Sequence, residues 1–265
     1  DWHLFLFSLV VMAGLALLLH RYARRMDERI SREQAEKENQ LRRELTQNIS
    51  HELKTPVASI LGYTETILDD PQMNSETQRQ FIQRTHAQAQ RLTALLQDIS
   101  TLNRMDYAAH QLKMERTDVS EIVSDIVEET AIAVEKRHMT VHNALPEDIV
   151  IQGNPSLIYS IFRNLIDNAI NYAGEGTTID IQAEPTSDGW RFRLSDNGVG
   201  IAPEHLSRIF ERFYRIDKGR SRSLGGTGLG LAIVKNAVLL HGGSITVRPA
   251  DKGGLAFEFT LRKSI

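Results

Sequence analysis

The sequence predicts three successive regions: a transmembrane helix, an all-α hairpin, and an α/β sandwich of mixed sheet and helices. Three observations predict them. An apolar run fills residues 4–19, apolar residues then recur at near-helical spacing, and beyond Asp118 short strand-like runs interleave with helical ones. The length of 265 residues, with 41% hydrophobic and 25% charged residues, fits an ordinary folded chain of about two domains.

The composition also argues against several kinds of site and partner. A formal net charge of -3 gives no broad basic surface, which argues against nucleic acid as a main partner. The lack of cysteine excludes disulfides and thiolate metal sites. The nine histidines form no ligand-like cluster such as His-Glu-x-x-His, which argues against a structural transition-metal site.

Residues 1–20 are predicted to form the transmembrane helix. Every residue from 4 to 19 is apolar except Ser8, and the aromatic residues Trp2 and Tyr22 flank the run, as suits the headgroup region. A cleaved signal peptide is the alternative, but it would need a methionine and basic residues before the apolar run. The chain instead opens on Asp1, which suggests that upstream sequence has been removed.

Basic residues follow the apolar run, at Arg21, Arg24 and Arg25. By the positive-inside rule they place the carboxyl end of the span in the cytoplasm, which predicts a protein of the inner or cell membrane. Residues 21–44 are then a cytoplasmic helical linker rich in Arg, Glu, Gln and Lys, compatible equally with a solvated helix and with a signalling coiled coil. No proline or glycine interrupts it before the next helix.

Residues 48–56, Asn-Ile-Ser-His-Glu-Leu-Lys-Thr-Pro, lie at the centre of that next helix. Its apolar stripe comprises Leu41, Leu45, Ile49, Leu53, Ile60 and Ile67. At about 100° per residue, His51 points away from this stripe into solvent, and Thr55 shares its face one turn later. An ordinary surface histidine is the alternative, but Glu52 can accept a proton from one ring nitrogen and so make the other a nucleophile. Pro56 is expected to bend the helix.

Residues 45–110 are predicted to form an antiparallel helical hairpin. A polar turn at 69–74 separates its helices, and Ser75 with Glu76 begins the second. The apolar positions of the second helix are Phe81, Ile82, Leu92, Leu95, Leu96, Ile99 and Leu102. A lone hairpin cannot cover its apolar seam, so dimerisation into a four-helix bundle is the economical solution, and a monomeric pair capped by the downstream domain is the alternative.

Residues 111–265 are predicted to form the α/β sandwich. Apolar spacing stops near 111–118, and Thr117-Asp118 offers a cap for a new helix. The strand-like runs are Met139 to Asn143, Ile149 to Gln152, Thr178 to Ala183, Arg191 to Ser195, Ser244 to Val247 and Ala256 to Leu261.

A polar helix face and a glycine-containing turn in this region are candidate ligand contacts. Asn164 and Asn168 lie four residues apart on one helix face, and amide oxygens suit Mg²⁺ that keeps its waters and bridges phosphates. Plain surface asparagines are the alternative. A strand ends at Asp196, and Gly198 and Gly200 follow it, which lets backbone and ligand approach closely, although Asp-Asn-Gly is also an ordinary turn.

A glycine-rich stretch, residues 224–231, precedes a helix predicted from Ala232 to His241. Clustered glycines that open a helix expose amide N–H groups at its positive end, which suits phosphates. The stretch lacks the Gly-Lys-Ser/Thr of a P-loop and is not placed as in a dinucleotide-binding fold.

In this order and spacing, the blocks resemble a known family. Residues 51–56, His-Glu-Leu-Lys-Thr-Pro, resemble the phospho-acceptor box of sensor histidine kinases. The downstream blocks resemble the N, G1, F and G2 boxes of the histidine kinase ATP-binding domain, a Bergerat or GHKL fold, with residues 209–215 as the F box. The resemblance covers roughly residues 41–261.

The resemblance implies a role for each matching residue. Asn168 is expected to be the Mg²⁺ ligand, with Asn164 beside it at the phosphates of ATP. Asp196 is expected to accept a hydrogen bond from the adenine amino group, and Tyr172 to lie against the base or ribose. Family members often carry lysine where this chain has Asn171, so one cationic phosphate contact lacks its usual residue.

Further ATP contacts are expected from the F box and the glycines. Arg212 and Arg215 are expected to meet phosphate oxygens. The pocket and a mobile lid are expected to be shaped by Gly198, Gly200, Gly226, Thr227, Gly228, Leu229 and Gly230.

The implied protein is a membrane-anchored, homodimeric sensor histidine kinase. It would move the γ-phosphoryl group of Mg-ATP to His51 and then to an aspartate of a response regulator, with Glu52 as general base and Thr55 supporting dephosphorylation of the regulator. One alternative is another GHKL ATPase, such as a chaperone or a DNA-repair clamp, which hydrolyses ATP without a His-Glu hairpin. A catalytically silent scaffold that only docks a regulator is the other.

Overall fold

The computed structural model describes residues 2–217 and 226–264, and over residues 2–42 it describes the backbone with only some of the side chains. The chain comprises two compact units, Asp1–Glu52 and Leu53–Ile265. Leu224 and Gly225, which open the predicted glycine-rich stretch, lie outside the described residues.

Helix α1 comprises Trp2–Asp69, so the predicted linker at 21–44 is helical and leads without a break into the helix of His51. The helix also continues through Pro56, whose side chain is buried. Most side chains of the predicted span, residues 4–19, lie outside the described residues. Within the part of the chain that is described, no helix is both long and apolar enough to cross a membrane.

Helix α2 comprises Ser75–Tyr107 and begins where the sequence predicted. Asn74 caps it, because its side-chain oxygen accepts a hydrogen bond from the backbone N–H of Thr77 at 2.8 Å. Across the hairpin, the ring centroids of Tyr63 and Phe81 lie 5.7 Å apart. The predicted helical hairpin is therefore present.

Only part of the predicted seam of α2 is covered in the single chain. Leu95 and Leu102 are buried together with Met105, whereas Ile82 is 55% and Leu96 51% exposed. The buried residues belong to the same core cluster as the downstream α/β sandwich. The downstream region thus covers one face of α2, while other apolar positions stay accessible.

A short strand that was not predicted opens the α/β region. Strand β1, Glu115–Asp118, pairs antiparallel with β3, Val150–Gly153. Asp118 then caps helix α3, Val119–Lys136, as predicted: its Oδ1 accepts hydrogen bonds from the N–H groups of Ser120 at 2.9 Å and Glu121 at 3.1 Å. Only Thr117 of the strand is buried, so β1 shows no apolar alternation in the sequence.

The main sheet has five strands, in the order β2-β4-β5-β7-β6. Strand β2 pairs with β4 in parallel and the other pairs are antiparallel, which confirms the predicted mixed sheet. The strands are β2 Thr140–Ala144, β4 Thr178–Pro185, β5 Gly189–Asp196, β6 Ile245–Pro249 and β7 Leu255–Arg262.

Three further α-helices lie in the described part of the α/β region: α4 Pro155–Tyr172, the short α5 Pro203–Leu206, and α6 Gly230–Leu240. The core between helices and sheet contains Phe162 of α4, Phe192 of β5 and Phe259 of β7. Their ring centroids lie 5.2–5.5 Å apart. Burial of each such ring stabilises the fold by about 1.5–3 kcal/mol, so this trio anchors α4 to the sheet.

A fully buried histidine connects the end of α6 to the start of α4. The backbone N–H of Asn154, the residue that caps α4, donates to His241 Nε2 at 3.0 Å, and His241 Nδ1 lies 2.7 Å from the carbonyl oxygen of Ala237. Nε2 must therefore lack a proton and Nδ1 must carry one, so the ring is neutral. Burial lowers the pKa of His241, and the hydrogen bond to Ala237 offsets this in part.

This histidine predicts an acid-sensitive fold. Because the pKa of His241 is lower in the folded chain, only the unfolded chain takes up this proton when the pH first falls below about 6.5. The free energy of unfolding should then fall, by at most about 1.4 kcal/mol per pH unit for this one proton. Denaturant unfolding at pH 5 to 8 measures it. His241→Gln should flatten the slope, whereas His86→Gln, at an exposed position, should not; equal slopes in wild type and His241→Gln would contradict this role.

Candidate functional site

Helix α4 carries the two asparagines of the candidate site. Asn164 and Asn168 are both half-buried. Asn164 Nδ2 donates to the carbonyl oxygen of Ser160 at 2.8 Å, and a Cβ at Gly230 would overlap Asn164 Oδ1, so glycine at 230 lets α6 start beside Asn164 without displacing its amide. Within the described residues, the Asn168 amide forms no side-chain hydrogen bond. Amide oxygens in this setting are suitable Mg²⁺ ligands.

Asp196 lies at the end of β5, and 8% of its surface is exposed. Its Oδ1 accepts a hydrogen bond from the N–H of Gly198 at 2.9 Å and its Oδ2 accepts one from the N–H of Leu255 at 3.4 Å. Burial raises the pKa of Asp196, and the two N–H donors offset part of that rise. Each carboxylate oxygen keeps a second lone pair, so the group can still accept a hydrogen bond from a ligand amino group.

The turn after Asp196 packs against the end of α4. The N–H of Val199 donates to the carbonyl oxygen of Ala173 at 3.0 Å, and a Cβ at Gly198 would overlap that same oxygen. Ala173 directly follows Tyr172, which is half-buried, as are Asn171 and Gly200. The fold therefore brings the Asp196 turn to the helix that bears both asparagines.

The described glycine-rich residues, Gly226 to Gly230, lead directly into α6. Leu229 is fully buried and its N–H donates to Thr227 Oγ1 at 3.2 Å. The amide N–H groups of the first turn of a helix have no intrahelical partner and favour anions. The loop is therefore anchored by Leu229 and can present N–H groups to phosphates.

The F box is fastened to this loop. The N–H of Phe213 donates to the carbonyl oxygen of Gly228 at 2.8 Å, and the Arg215 guanidinium donates to the carbonyl oxygen of Gly226. Phe213 has a left-handed φ of 63°, a conformation that costs about 1–3 kcal/mol for a non-glycine residue and persists only where its surroundings hold it. Arg215 thus contacts the loop backbone in the described arrangement.

Two of the residues expected at the ATP site, one from the F box and one from the glycine-rich loop, contact helix α2. Arg212 Nη2 lies 2.8 Å from both carboxylate oxygens of Asp106, and Thr227 Oγ1 donates to Asp98 Oδ2 at 2.6 Å. Burial raises the pKa of Asp98, and the hydrogen bond from Thr227 offsets part of the rise. Sequence reasoning did not select either aspartate.

The phospho-acceptor residues lie on α1. In the first unit, His51 is exposed and Glu52 is half-buried. In the second unit, Thr55 is exposed and its carbonyl oxygen accepts a hydrogen bond from the Ser59 hydroxyl at 3.1 Å. The exposure predicted for His51 and Thr55 is confirmed.

Comparison with known proteins identifies two domains in the chain. Residues 41–108 match the His Kinase A (phospho-acceptor) domain, and residues 153–265 match the histidine kinase-, DNA gyrase B-, and HSP90-like ATPase domain. Both domains occur in one chain in this order. The chain belongs to the sensor histidine kinase family. The ATPase domain of this chain implies that it binds ATP.

Curated relatives agree with this assignment. This chain is 36% identical over 220 residues to the sensor-like histidine kinase SenX3 of Mycobacterium tuberculosis, and the match covers 83% of this chain and 53% of SenX3. It is 35% identical over 222 residues to the phosphate regulon sensor protein PhoR of Haemophilus influenzae, covering 84% of this chain and 52% of PhoR. The chain thus spans about half the length of these relatives.

A solved structure shares the fold. The histidine kinase AdeS of Acinetobacter baumannii superposes with a TM-score of 0.65 at 23% identity, covering 80% of this chain and 98% of that one. At this identity the likeness concerns the fold.

The Asn164–Asn168 face, the buried Asp196 and the glycine-lined approaches fit ATP with Mg²⁺, because they combine hard oxygen ligands, an acceptor for an amino group and helix-start N–H donors.

Proposed function

We propose that this chain phosphorylates its own His51 from Mg-ATP and passes the phosphoryl group to an aspartate of a response-regulator receiver domain. The observation that carries the proposal is an exposed histidine next to a carboxylate, inside a phospho-acceptor domain, on the same chain as a histidine kinase-type ATPase domain. The relatives SenX3 and PhoR bear the names of sensor proteins, which supports a signalling role.

In the proposed reaction, His51 attacks the γ-phosphorus with one ring nitrogen. The N–P bond forms while the P–O bond to ADP breaks, and Glu52 accepts the proton from the other ring nitrogen. Asn168, with Asn164 beside it, would hold Mg²⁺, which when bound neutralises charge on the phosphates. Asp196 orients the nucleotide by accepting a hydrogen bond from the adenine amino group, so catalysis rests on positioning.

We further propose a homodimer anchored in the inner or cell membrane, with the domains in the cytoplasm. The exposed apolar residues of the hairpin, Val57, Leu61, Leu68, Ile82 and Leu96, support dimerisation, because a second copy could cover them. The apolar run at 4–19 supports the anchor. Sedimentation of the chain in detergent would test the homodimer. Extraction of cell membranes with alkaline carbonate would test the membrane anchor.

The decisive test of the proposed reaction uses labelled ATP. The purified chain is incubated with γ-labelled Mg-ATP, and the acid-labile, base-stable label of a phosphohistidine is measured before and after a panel of receiver domains is added. The proposal requires label on the chain and rapid transfer to at least one receiver. Release of free phosphate at full rate without any label on protein would instead indicate an ATPase that acts on water.

Thr55 is expected to support dephosphorylation of the regulator. An exposed hydroxyl one helical turn from His51 can orient an attacking water by hydrogen bonding but is a poor base, which suits hydrolysis of a reactive acyl phosphate. Thr55→Ala should leave autophosphorylation and transfer nearly unchanged while slowing loss of label from the phosphorylated receiver about tenfold, roughly the value of one hydrogen bond.

A matched variant separates this role from loss of any helix hydroxyl. Thr66 is also exposed on α1, and its Oγ1 donates to the Gly62 carbonyl oxygen at 2.7 Å. Thr66→Ala should leave dephosphorylation at the wild-type rate, measured with ADP present. Equal rates for Thr55→Ala and wild type would make Thr55 a purely structural residue.

A further inference from the structure

Helix α2 presents two carboxylates to the nucleotide-binding region. Asp98 accepts a hydrogen bond from Thr227 in the glycine-rich loop, and Asp106 pairs with Arg212 in the F box. The two acids are eight residues apart, which is about 12 Å along a helix. They therefore contact two separate segments of the same region, 98 and 227 being 129 residues apart in sequence.

These contacts are built into a packed surface. Leu95, Leu102 and Met105 lie on the same stretch of α2 and are at most 5% exposed. The side chains of Arg212 and Asp106 retain 30% and 25% exposure, so their ion pair lies at the rim of this apolar contact. Asp98 is half-buried, and a partly desolvated carboxylate is stabilised by a partner such as the Thr227 hydroxyl.

The donors held by these acids are chemically suited to phosphate: Arg212 is expected to meet phosphate oxygens, and Thr227 belongs to the loop expected to shape the ATP pocket. Carboxylate and phosphate oxygens compete for the same guanidinium and hydroxyl groups, because both offer anionic lone pairs in similar geometry. Arg212 uses one nitrogen for both oxygens of Asp106, and the Thr227 hydroxyl proton is committed to Asp98. The Thr227 hydroxyl therefore has no proton left for a phosphate while Asp98 holds it. Asp106 fixes the Arg212 guanidinium in place and offsets its charge, although the other N–H groups of Arg212 remain donors.

We propose that Asp98 and Asp106 form an anionic latch that holds Thr227 and Arg212 on α2 and competes with the phosphates of the nucleotide. The latch rests on the proposed function, since it regulates the ATP site assigned above. Nucleotide binding and docking on α2 then oppose each other, and by linkage each weakens the other by the same factor. A signal that moves α2 would thereby change nucleotide affinity without touching the ATP pocket itself.

The expected effect is a gain in affinity when the latch is removed. The double variant Asp98→Asn/Asp106→Asn keeps the side-chain shapes and should bind a non-hydrolysable ATP analogue with Mg²⁺ at least about fivefold more tightly, the lower end of typical coupling between sites. Asp125→Asn/Glu128→Gln is the control, because it removes two negative charges from exposed positions of α3 and so matches any long-range effect on an anionic ligand. It should bind like wild type.

A distance measurement between α2 and α6 tests the latch without an activity assay. The chain contains no cysteine, so Asn103→Cys on α2 and Lys235→Cys on α6, both exposed, can carry the only two spin labels. In the 265-residue chain, nucleotide should lengthen or broaden the distance between them, and the latch variant should show that distribution without nucleotide.

The outcomes separate the latch from the proposed function. Tighter binding together with the altered distance in the latch variant, and neither in the control, supports the latch. Nucleotide binding that is unchanged or weakened by Asp98→Asn/Asp106→Asn, or a distance identical to wild type, overturns the latch and leaves the kinase assignment standing. A chain that binds no nucleotide in any form overturns the proposed function and the latch with it.

Discussion

His51→Gln is expected to abolish phosphorylation of the chain while leaving nucleotide binding intact. Glutamine preserves a polar, exposed helix position but offers an amide nitrogen whose lone pair is delocalised, so it cannot attack the γ-phosphorus. No slower route replaces a missing covalent nucleophile, which makes the loss of label complete. Incubation of the purified chain with γ-labelled Mg-ATP, followed by separation under basic conditions, measures it.

Two controls make the result specific for His51. His110→Gln removes another exposed histidine and should retain the wild-type extent of label. Binding of an ATP analogue by calorimetry should be the same in His51→Gln and wild type, because His51 is not among the residues assigned to the nucleotide. Label retained in His51→Gln would move the phospho-acceptor to another residue.

Most elements of the fold follow from local sequence patterns. Each of the six predicted strand-like runs corresponds to an observed strand, and Asp118 caps a helix where a cap was expected. Strand β1 was missed because its existence depends on pairing with β3, and a four-residue strand with one buried side chain carries no period of its own. The helix through Pro56 also departs from the local rule, since it continues where proline usually interrupts it.

The candidate site likewise contains residues that the sequence predicts and contacts that it does not. Asn164, Asn168 and Asp196 could be predicted because helix spacing and strand ends fix where such side chains point, and the structure brings the Asp196 turn to the end of α4. Their ligand roles stay predictions. The contacts of Arg212 and Thr227 with α2 could not be predicted, because they join residues more than a hundred positions apart.

One signal of the α2 contact was nevertheless present in the sequence. Asp98 follows Leu95 by three residues and precedes Leu102 by four, so it lies on the helix face of these two positions of the predicted apolar stripe. A carboxylate on a face that becomes buried needs a specific partner, since an unpaired charge there is costly. An acid within an apolar stripe therefore indicates a polar contact with another part of the chain, although it does not identify the partner.

Asp196→Asn is expected to weaken nucleotide binding about tenfold or more. The carboxylate oxygens of Asp196 accept from the N–H groups of Gly198 and Leu255, and an asparagine has only one carbonyl oxygen, so its NH₂ group must face one of these donors. Asparagine would also turn a charged acceptor for the adenine amino group into a neutral one. A lost hydrogen bond to a charged group costs about 1.5–3 kcal/mol, which corresponds to about tenfold or more in affinity.

The measurement must separate affinity from folding, because the same donor conflict destabilises the turn by about 1–3 kcal/mol. Calorimetric titration with an ATP analogue is therefore performed at a temperature where thermal unfolding shows the variant to be folded. Asp148→Asn is the matched control: Asp148 is exposed with a left-handed φ of 61°, a conformation that asparagine adopts readily, so this variant should bind like wild type. Unchanged affinity in folded Asp196→Asn would place the adenine amino group away from this carboxylate.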